Sequence, residues 1–260
     1  NKHLMSEFKP RDYTLENYAA IYDHYRTYTP DPKKIRFAGQ LLRLLYNPQV
    51  SMADGAYEQA SEHMANGHPV MYALNHIKVR DQFVVGSAIW SVPQFRHNLL
   101  QGVVIPAKPD YFTGISKLPI PTHLLEDVGM MPVFRATDAH GKNSALFKQS
   151  TEAYLETCAF QLSRGINLLV SPEGTRNTQD ATKVQRLKQG VAKTALLACH
   201  LGARPMLLPA AVNYNTEHAG FYRPRVHIGD PIVPTGEETA TELTHQLHSA
   251  MQRAVDRSIK

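Results

Sequence analysis

A histidine and an aspartate five positions apart are the first candidates for catalysis. His76 and Asp81 lie in the sequence NHIKVRD, directly after an apolar run that ends at Leu74. On a regular helix such side chains point roughly 140° apart, so they can meet only if His76 lies on a turn before a helix. There the carboxylate can fix the imidazole tautomer while the other ring nitrogen takes a proton from a substrate. The spacing predicts His76 as a general base and Asp81 as its partner. With 13 histidines in the chain, the alternative is a chance match between residues with structural roles.

The second candidate is a loop with the sequence SPEGTRN, which begins at Ser171 and also follows an apolar run. Loops at the carboxyl ends of strands bind ligands in open α/β sheets. Arg176 offers a planar set of donors for a phosphate, Gly174 permits close backbone approach, and Thr175 adds a hydroxyl. The loop therefore predicts an anion site. The alternative is a turn closed by an ion pair between Glu173 and Arg176.

Hydrophobic periodicity and turn residues predict helices first, and then an alternation of strands and helices that carries both motifs. The predicted strands cover residues 70–74, 102–106, 132–135, 166–171, 206–212 and 225–228. The predicted helices in the alternating part cover residues 81–90, 143–163, 184–200 and 237–258. This order favours an α/β fold with a mixed, largely parallel sheet and helices on both faces.

The length of 260 residues and the 43% hydrophobic content allow one domain with a sizeable core. Within it we expect an N-terminal helical region at 1–66, an α/β core at 67–235, and a C-terminal helix at 236–260 packed on that core.

Charge and cysteine content limit the classes of partner and the compartment. The 28 basic and 23 acidic residues give a net charge of +5, without a dense basic run that would favour nucleic acid. The modest excess suits anionic lipid or an acidic carrier protein. Two cysteines form no disulfide framework and no cluster at zinc spacing, which indicates a reducing compartment and no metal. No apolar run reaches the ~20 residues of a membrane span. We expect a cytoplasmic protein, either soluble or peripheral at the inner membrane face.

The sequence KKIRFAGQLLRLLY, residues 33–46, predicts an amphipathic helix. Its apolar side chains, such as Ile35 and Leu42, share one wide arc, whereas Arg36 and Arg43 lie opposite. Two interpretations follow. The helix packs on its own domain with a solvated outer face, or it lies on an anionic membrane surface with its apolar face in lipid.

The two motifs, in this order and about a hundred residues apart, resemble those of the glycerolipid acyltransferases, which act on glycerol 3-phosphate and 1-acylglycerol 3-phosphate. That family carries NHxxxxD, GxxFIxR, EGTR and then an apolar strand with a proline. The matching residues here are Asn75, His76 and Asp81, then Gly129 and Arg135, then Glu173, Gly174, Thr175 and Arg176, and last Pro209. The segment LKQG looks like the family's FKxG and places Lys188 beside the EGTR residues. The resemblance covers roughly residues 70–214.

The resemblance implies a glycerolipid acyltransferase fold and transfer of a fatty acyl group from a thioester of coenzyme A or acyl carrier protein to a lipid hydroxyl. His76, held by Asp81, would be the base, and no metal, bound cofactor or acyl-enzyme is implied. Binding of the acceptor phosphate would fall to Arg135, Glu173, Gly174, Thr175 and Arg176, with Lys188 in support. Asn75 or a following amide is the candidate donor to the oxyanion.

Departures from the family pattern raise further alternatives. Pro132 replaces a phenylalanine and Asn177 a serine, whereas Lys78 and Arg80 add two cations inside the first motif. We expect these cations to contact the acyl donor, unless they form a solvated helix face. Other functions that fit are acyl transfer to an alcohol without phosphate, thioester hydrolysis, and an inactive lipid-binding or membrane-associated scaffold. An intact His76 and Asp81 pair argues against the scaffold.

Overall fold

The computed structural model describes residues 13–112, 122–135, 144–214 and 223–259. Its helices are α1 (Tyr18–Thr27), α2 (Pro32–Tyr46), α3 (Ala56–Ala65), α4 (Asp81–Ser91), α5 (Pro93–Leu99), α6 (Thr122–Asp127), α7 (Ser144–Ser163), α8 (Gly190–His200) and α9 (Ala240–Ile259). Its strands are β1 (Gln49–Met52), β2 (Val70–Leu74), β3 (Val103–Ala107), β4 (Met130–Pro132), β5 (Asn167–Val170), β6 (Met206–Asn213) and β7 (Arg225–Ile228). Short 3-10 turns lie at Leu15–Asn17 and Pro109–Tyr111.

In the described part of the chain, seven strands form one sheet in the order β1-β7-β6-β2-β5-β3-β4. Neighbouring strands run parallel except β6 and β7, which pair antiparallel. The sheet is therefore mixed and largely parallel. The carboxyl ends of β2, β5, β3 and β4 lie along one edge, which is where ligands bind in open α/β sheets.

Helices cover both faces of this sheet. Side chains alternate along β2: Val70, Tyr72 and Leu74 pack into a core cluster with α2 to α5, whereas Met71 and Ala73 face the cluster formed with α1, α7, α8 and α9. All five residues of β2 are buried, as expected for a central strand covered on both sides.

Two predicted elements begin elsewhere in the structure. The helix predicted at 184–200 begins only at Gly190, because residues before it run along the loop after β5, where the Lys188 N–H donates to the Pro172 carbonyl at 2.9 Å. The strand predicted at 132–135 is β4, which lies about two residues earlier. It follows Gly129, where an added Cβ would lie 1.7 Å from the Val103 carbonyl oxygen, so only glycine permits this approach to β3.

Strand β1 lies inside the segment that we expected to be helical. Its sequence QVSM has a single branched apolar residue and remains half exposed, so local pattern gives little signal for a strand. Parallel pairing with β7, from Gln49 beside Arg225 to Met52 beside Ile228, supplies the hydrogen bonds that hold it.

Helix α2 packs on α4 through one narrow face. Gly39 lies against Trp90, whose ring would clash with any larger side chain, and a Cβ added at Gly86 would lie 3.6 Å from Leu42 Cδ1. Along α2, Gly39 comes before Leu42, whereas along α4 their neighbours Trp90 and Gly86 come in the reverse order. Helix α2 therefore runs antiparallel to α4, and its C-terminal end points toward the start of α4. Large apolar side chains on the rest of α2 stay in solvent. This α2 apolar stripe consists of Phe37 (69% exposed), Leu41 (44%), Leu44 (81%) and Leu45 (63%).

The interpretation that α2 packs on its own domain is thus confirmed for the face that carries Ile35 and Gly39. None of the helices in the described ranges is long and apolar enough to cross a bilayer.

Candidate active site

The turn of residues 75–81, named the catalytic turn for its predicted role, joins the end of β2 to the start of α4. Because β2 ends at Leu74 and α4 begins at Asp81, His76 lies on the turn, as the spacing requires. His76 Nδ1 lies 3.1 Å from Asp81 Oδ2. The imidazole is 23% exposed and the carboxylate is fully buried. With Nδ1 directed at a carboxylate, the tautomer carries its proton there, and Nε2 is the nitrogen that can accept a proton.

Hydrogen-bond donors surround the carboxylate of Asp81. Its Oδ2 also accepts the backbone N–H groups of Ile77 at 2.5 Å and Lys78 at 2.7 Å. Its Oδ1 accepts the hydroxyl of Tyr214 at 2.5 Å. A buried charge is tolerated only when it is paired and hydrogen-bonded, and these donors meet that need. The turn therefore holds an oriented carboxylate behind His76.

Asn75 fastens the turn to the neighbouring strand β6. Its side-chain oxygen accepts the N–H of Val212 at 2.7 Å, and its amide nitrogen donates to the carbonyl of the same residue at 3.1 Å. The side chain thus continues the β2–β6 pairing by one step. The backbone amides that follow donate to carboxylates in this structure, so the donors to an oxyanion stay a prediction.

The EGTR loop, residues 171–177, follows β5 and touches the catalytic turn directly. Glu173 accepts the backbone N–H of His76 on Oε1 at 2.9 Å and that of Gln185 on Oε2 at 3.3 Å. In return, the N–H of Asn177 donates to the carbonyl of His76 at 2.6 Å. Both backbone polar groups of His76 therefore pair with this loop.

Glu173 is 4% exposed, and this burial raises its pKa, although the two backbone donors oppose the shift. Its carboxylate oxygens accept backbone N–H groups, and no ion pair joins Glu173 to Arg176 among the described residues. The alternative of a turn closed by that ion pair is therefore wrong.

The rest of the EGTR loop is open to solvent. Gly174 has a φ of +70°, and Gly174, Thr175 and Arg176 are exposed. The side chain of Lys188 crosses the loop at Gly174, where an added Cβ would lie 2.9 Å from Nζ. Lys188 thus lies beside the loop, as the sequence predicts. The exposed Arg176 of the loop and Lys188 beside it supply two positive charges, which suits the predicted anion site.

Arg135 lies farther along the same edge, a few residues after β4 ends at Pro132. Three strand steps separate β4 from β2, or roughly 14 Å at the usual spacing. Among the predicted phosphate ligands, Arg176 follows a strand adjacent to β2, whereas Arg135 follows the outermost strand on that side.

The two cations of the catalytic turn pack on one aromatic ring. Lys78 Nζ lies 4.3 Å and Arg80 Cζ 5.0 Å from the centre of the Tyr214 ring. Lys78 is exposed and Arg80 is half-buried. Cations at these distances are attracted to the face of the ring. Their predicted contact with an acyl donor stays a prediction.

Sequence reasoning missed Tyr214 and Asn177 as parts of this site. Tyr214 follows directly after β6, at the same edge as the catalytic turn, so a polar aromatic at the end of a predicted strand is the signal that could have found it. Asn177 organises its loop by accepting the N–H groups of Gln179 and Asp180 on Oδ1. In the ranges that the structure describes, no group of three or more His, Cys, Asp or Glu residues could hold a metal ion.

Comparison with known proteins gives matches only among structures. No protein-family model and no curated protein matches the sequence. A solved structure that does match is the 1-acyl-sn-glycerophosphate (LPA) acyltransferase PlsC from Thermotoga maritima. The TM-score is 0.56 at 17% identity, and the match covers 87% of this chain and 78% of PlsC. This chain has the PlsC fold.

The comparison confirms the expected fold class, a single α/β domain with a mixed, largely parallel sheet between helices. At 17% identity, the likeness to PlsC concerns the fold.

Proposed function

We propose that this protein is an O-acyltransferase that moves a fatty acyl group from an acyl thioester to the hydroxyl of a lysophospholipid or of glycerol phosphate. One observation carries the proposal: the backbone of His76, whose ring faces Asp81, is hydrogen-bonded on both sides to the loop that presents Arg176. A base and an anion-binding loop in direct contact suit an acceptor that has both a hydroxyl and a phosphate.

In the proposed reaction His76 Nε2 accepts the proton of the acceptor hydroxyl as its oxygen attacks the thioester carbonyl carbon. Asp81 stabilises the imidazolium that forms. When the tetrahedral intermediate collapses, the carbon–sulfur bond breaks, and the departing thiolate takes the proton from His76. General-base assistance of this kind typically contributes ~10²- to 10⁴-fold. The step requires no metal and no acyl-enzyme.

The acceptor phosphate would be held by Gly174, Thr175 and Arg176, with Lys188 across the loop and Arg135 farther along the edge. Glu173 serves this site as a tie between the loop and the catalytic turn, since a buried carboxylate would repel a phosphate. Charge-assisted hydrogen bonds from an arginine contribute roughly 1.5 to 3 kcal/mol each. Arg176 is therefore the main determinant of acceptor affinity.

The donor is coenzyme A thioester or acyl carrier protein, and both present phosphate or carboxylate groups to the protein. Lys78 and Arg80 stand at the catalytic turn, where the thioester must lie, and contribute two positive charges there. We assign them to contact with the donor.

The α2 apolar stripe would dock this protein on an anionic membrane. Lys33, Arg36 and Arg43 are exposed beside the stripe, and α2 contains no acidic residue. An apolar face flanked by cations is complementary to acyl chains below anionic headgroups. Because the end of α2 points toward the start of α4, docking would bring the catalytic turn near the lipid acceptor.

Assay of thiol release tests the proposed reaction. The purified protein is incubated with acyl-coenzyme A or acyl carrier protein, with and without 1-acylglycerol 3-phosphate. We expect release that depends on the phospholipid, and His76→Ala should lower turnover ~10³-fold without loss of fold. Release in water alone would indicate a thioesterase, and release only with a phosphate-free lipid alcohol would change the acceptor. No release with any acceptor would leave the scaffold function.

Sedimentation with vesicles tests docking. We expect the protein to pellet with anionic vesicles and not with zwitterionic ones, and Phe37→Ser with Leu44→Ser should weaken binding at least ~10-fold. The matched control is Leu201→Ser, which changes a leucine that is 53% exposed at the end of α8. Failure of the unmodified protein to pellet would contradict docking.

A further inference from the structure

Tyr214 belongs to this site although no motif includes it. It follows β6 directly and is 6% exposed. Its hydroxyl donates to Asp81 Oδ1 at 2.5 Å, whereas His76 faces the other oxygen, Oδ2. Tyr214 and His76 therefore hold the two ends of one carboxylate, and the plane of that carboxylate is fixed between them.

The hydrogen bond from Tyr214 cannot be replaced by water. Asp81 is fully buried, so the solvent cannot replace a donor that is lost from Oδ1. Other donors to this carboxylate, from the backbone of Ile77 and Lys78, reach Oδ2. Loss of the donor to a buried acceptor costs more free energy than loss of the donor to an exposed acceptor. The orientation of Asp81 therefore requires the hydroxyl of Tyr214.

Charged groups face this network from several elements. Lys78 and Arg80 of the turn lie over the Tyr214 ring, Asp81 comes from α4, and Glu173 of the EGTR loop pairs with the backbone of His76. Burial and then the charge of Asp81 raise the pKa of Tyr214, and Arg80 opposes the shift. The phenol therefore stays protonated and remains a hydrogen-bond donor.

We propose that Tyr214 is a positioning residue of the catalytic pair, which orients Asp81 through Oδ1 and spreads its charge so that Oδ2 holds His76 in the reactive tautomer. Its role in turnover rests on the proposed acyl transfer, but its effect on His76 does not and can be measured without a substrate.

The test is Tyr214→Phe, which retains the ring under Lys78 and Arg80 and removes only the hydroxyl. The matched control is Tyr72→Phe, which removes a buried hydroxyl that is bonded to Asn98 at 3.2 Å, away from Asp81. The imidazole signal of His76, assigned by its loss in His76→Gln, is titrated by NMR in the substrate-free protein. Steady-state kinetics of thiol release are then measured over the same pH range.

We expect the midpoint of the His76 titration to rise by roughly half a pH unit in Tyr214→Phe, because the less dispersed charge of Asp81 stabilises the imidazolium more strongly. The acid limb of the kcat profile should move with it, and kcat should fall ~10-fold at an unchanged acceptor KM. Tyr72→Phe should move neither the titration nor the profile.

A second measurement separates positioning from general destabilisation. In an Asp81→Asn background, Tyr214→Phe should cause no further shift of the His76 titration, because the effect passes through the carboxylate. An unmoved titration in the single variant, or an equal shift in both backgrounds, would overturn the proposal. If the unmodified protein shows no acyl transfer but the titration shifts as expected, the proposed function fails and the positioning role stands.

Discussion

The catalytic turn and the EGTR loop stand at the carboxyl ends of neighbouring strands but differ in how they are held. In the turn, Asp81 is fully buried and each of its oxygens has a donor. In the loop, the residues from Gly174 to Arg176 are exposed. In the proposed reaction, the base would therefore be fixed before any substrate arrives, whereas the loop proposed to bind the acceptor could adapt to it.

Glu173 joins the two regions, so a change to its side chain should have the largest effect on activity. In Glu173→Gln one oxygen is replaced by an amide N–H₂, which would face the N–H of either His76 or Gln185. We expect the turn to shift and kcat to fall ~100-fold, as small misplacements of reacting groups do. Rates of thiol release measure the effect.

The matched control is Glu242→Gln, which alters an exposed carboxylate at the start of α9 and should keep full activity. A Glu173→Gln variant with unchanged kcat would show that the two regions work independently.

Arg176→Ala should affect acceptor binding and not the rate of the chemical step. Loss of the guanidinium would remove the proposed determinant of acceptor affinity without touching the catalytic turn, so we expect the acceptor KM to rise at least ~10-fold with kcat nearly unchanged. The control is Arg204→Ala, an exposed arginine that precedes β6 at the opposite edge of the sheet. An equal fall in kcat and in kcat/KM, with no rise in KM, would contradict a binding role for Arg176.

Reversal of charge at the turn tests its contact with the donor. The double variant Lys78→Glu and Arg80→Glu should raise the donor KM ~5-fold at low ionic strength and less at high salt, because salt screens exposed charges. Acceptor KM should change little. Donor kinetics that do not respond to the reversal would support a solvated surface for both cations.

Dependence of stability on pH tests the burial of Glu173. Since the pKa of Glu173 is raised in the folded protein above its usual value, its contribution to stability falls as pH rises from about 4.5 through the folded pKa. The free energy of unfolding measured in urea, taken as the value for the unmodified protein minus that for Glu173→Gln, should therefore fall as pH rises. A difference that grows with pH would mean that the ionised form is favoured by folding.

Sequence patterns were most informative where one element determines the geometry. The bounds of β2 and the start of α4 follow from an apolar run and the spacing of His76 and Asp81, so the structure confirms that the pair meets on a turn. Contacts that depend on strand order could not be predicted in this way. Tyr214 reaches Asp81 across 133 residues, and only the pairing of β2 with β6 brings them together.

Other differences have the same origin. Strand β1 depends on β7 for its hydrogen bonds, and the late start of α8 depends on contacts between residues 185–188 and the loop after β5. The burial of Glu173 also depends on tertiary contacts. From the sequence alone, a glutamate in this loop is expected to be a charged ligand or an ion-pair partner.

Two hydrogen bonds join the backbone of His76 to the EGTR loop, and in the proposed enzyme they would link acceptor recognition to reactivity. Movement of the loop around a bound phosphate would shift the backbone of His76 and, with it, the position of the imidazole ring. A water molecule, which has no phosphate to grip, would meet a less well aligned base. The linkage would therefore protect the energy-rich thioester from wasteful hydrolysis until the proper acceptor is in place.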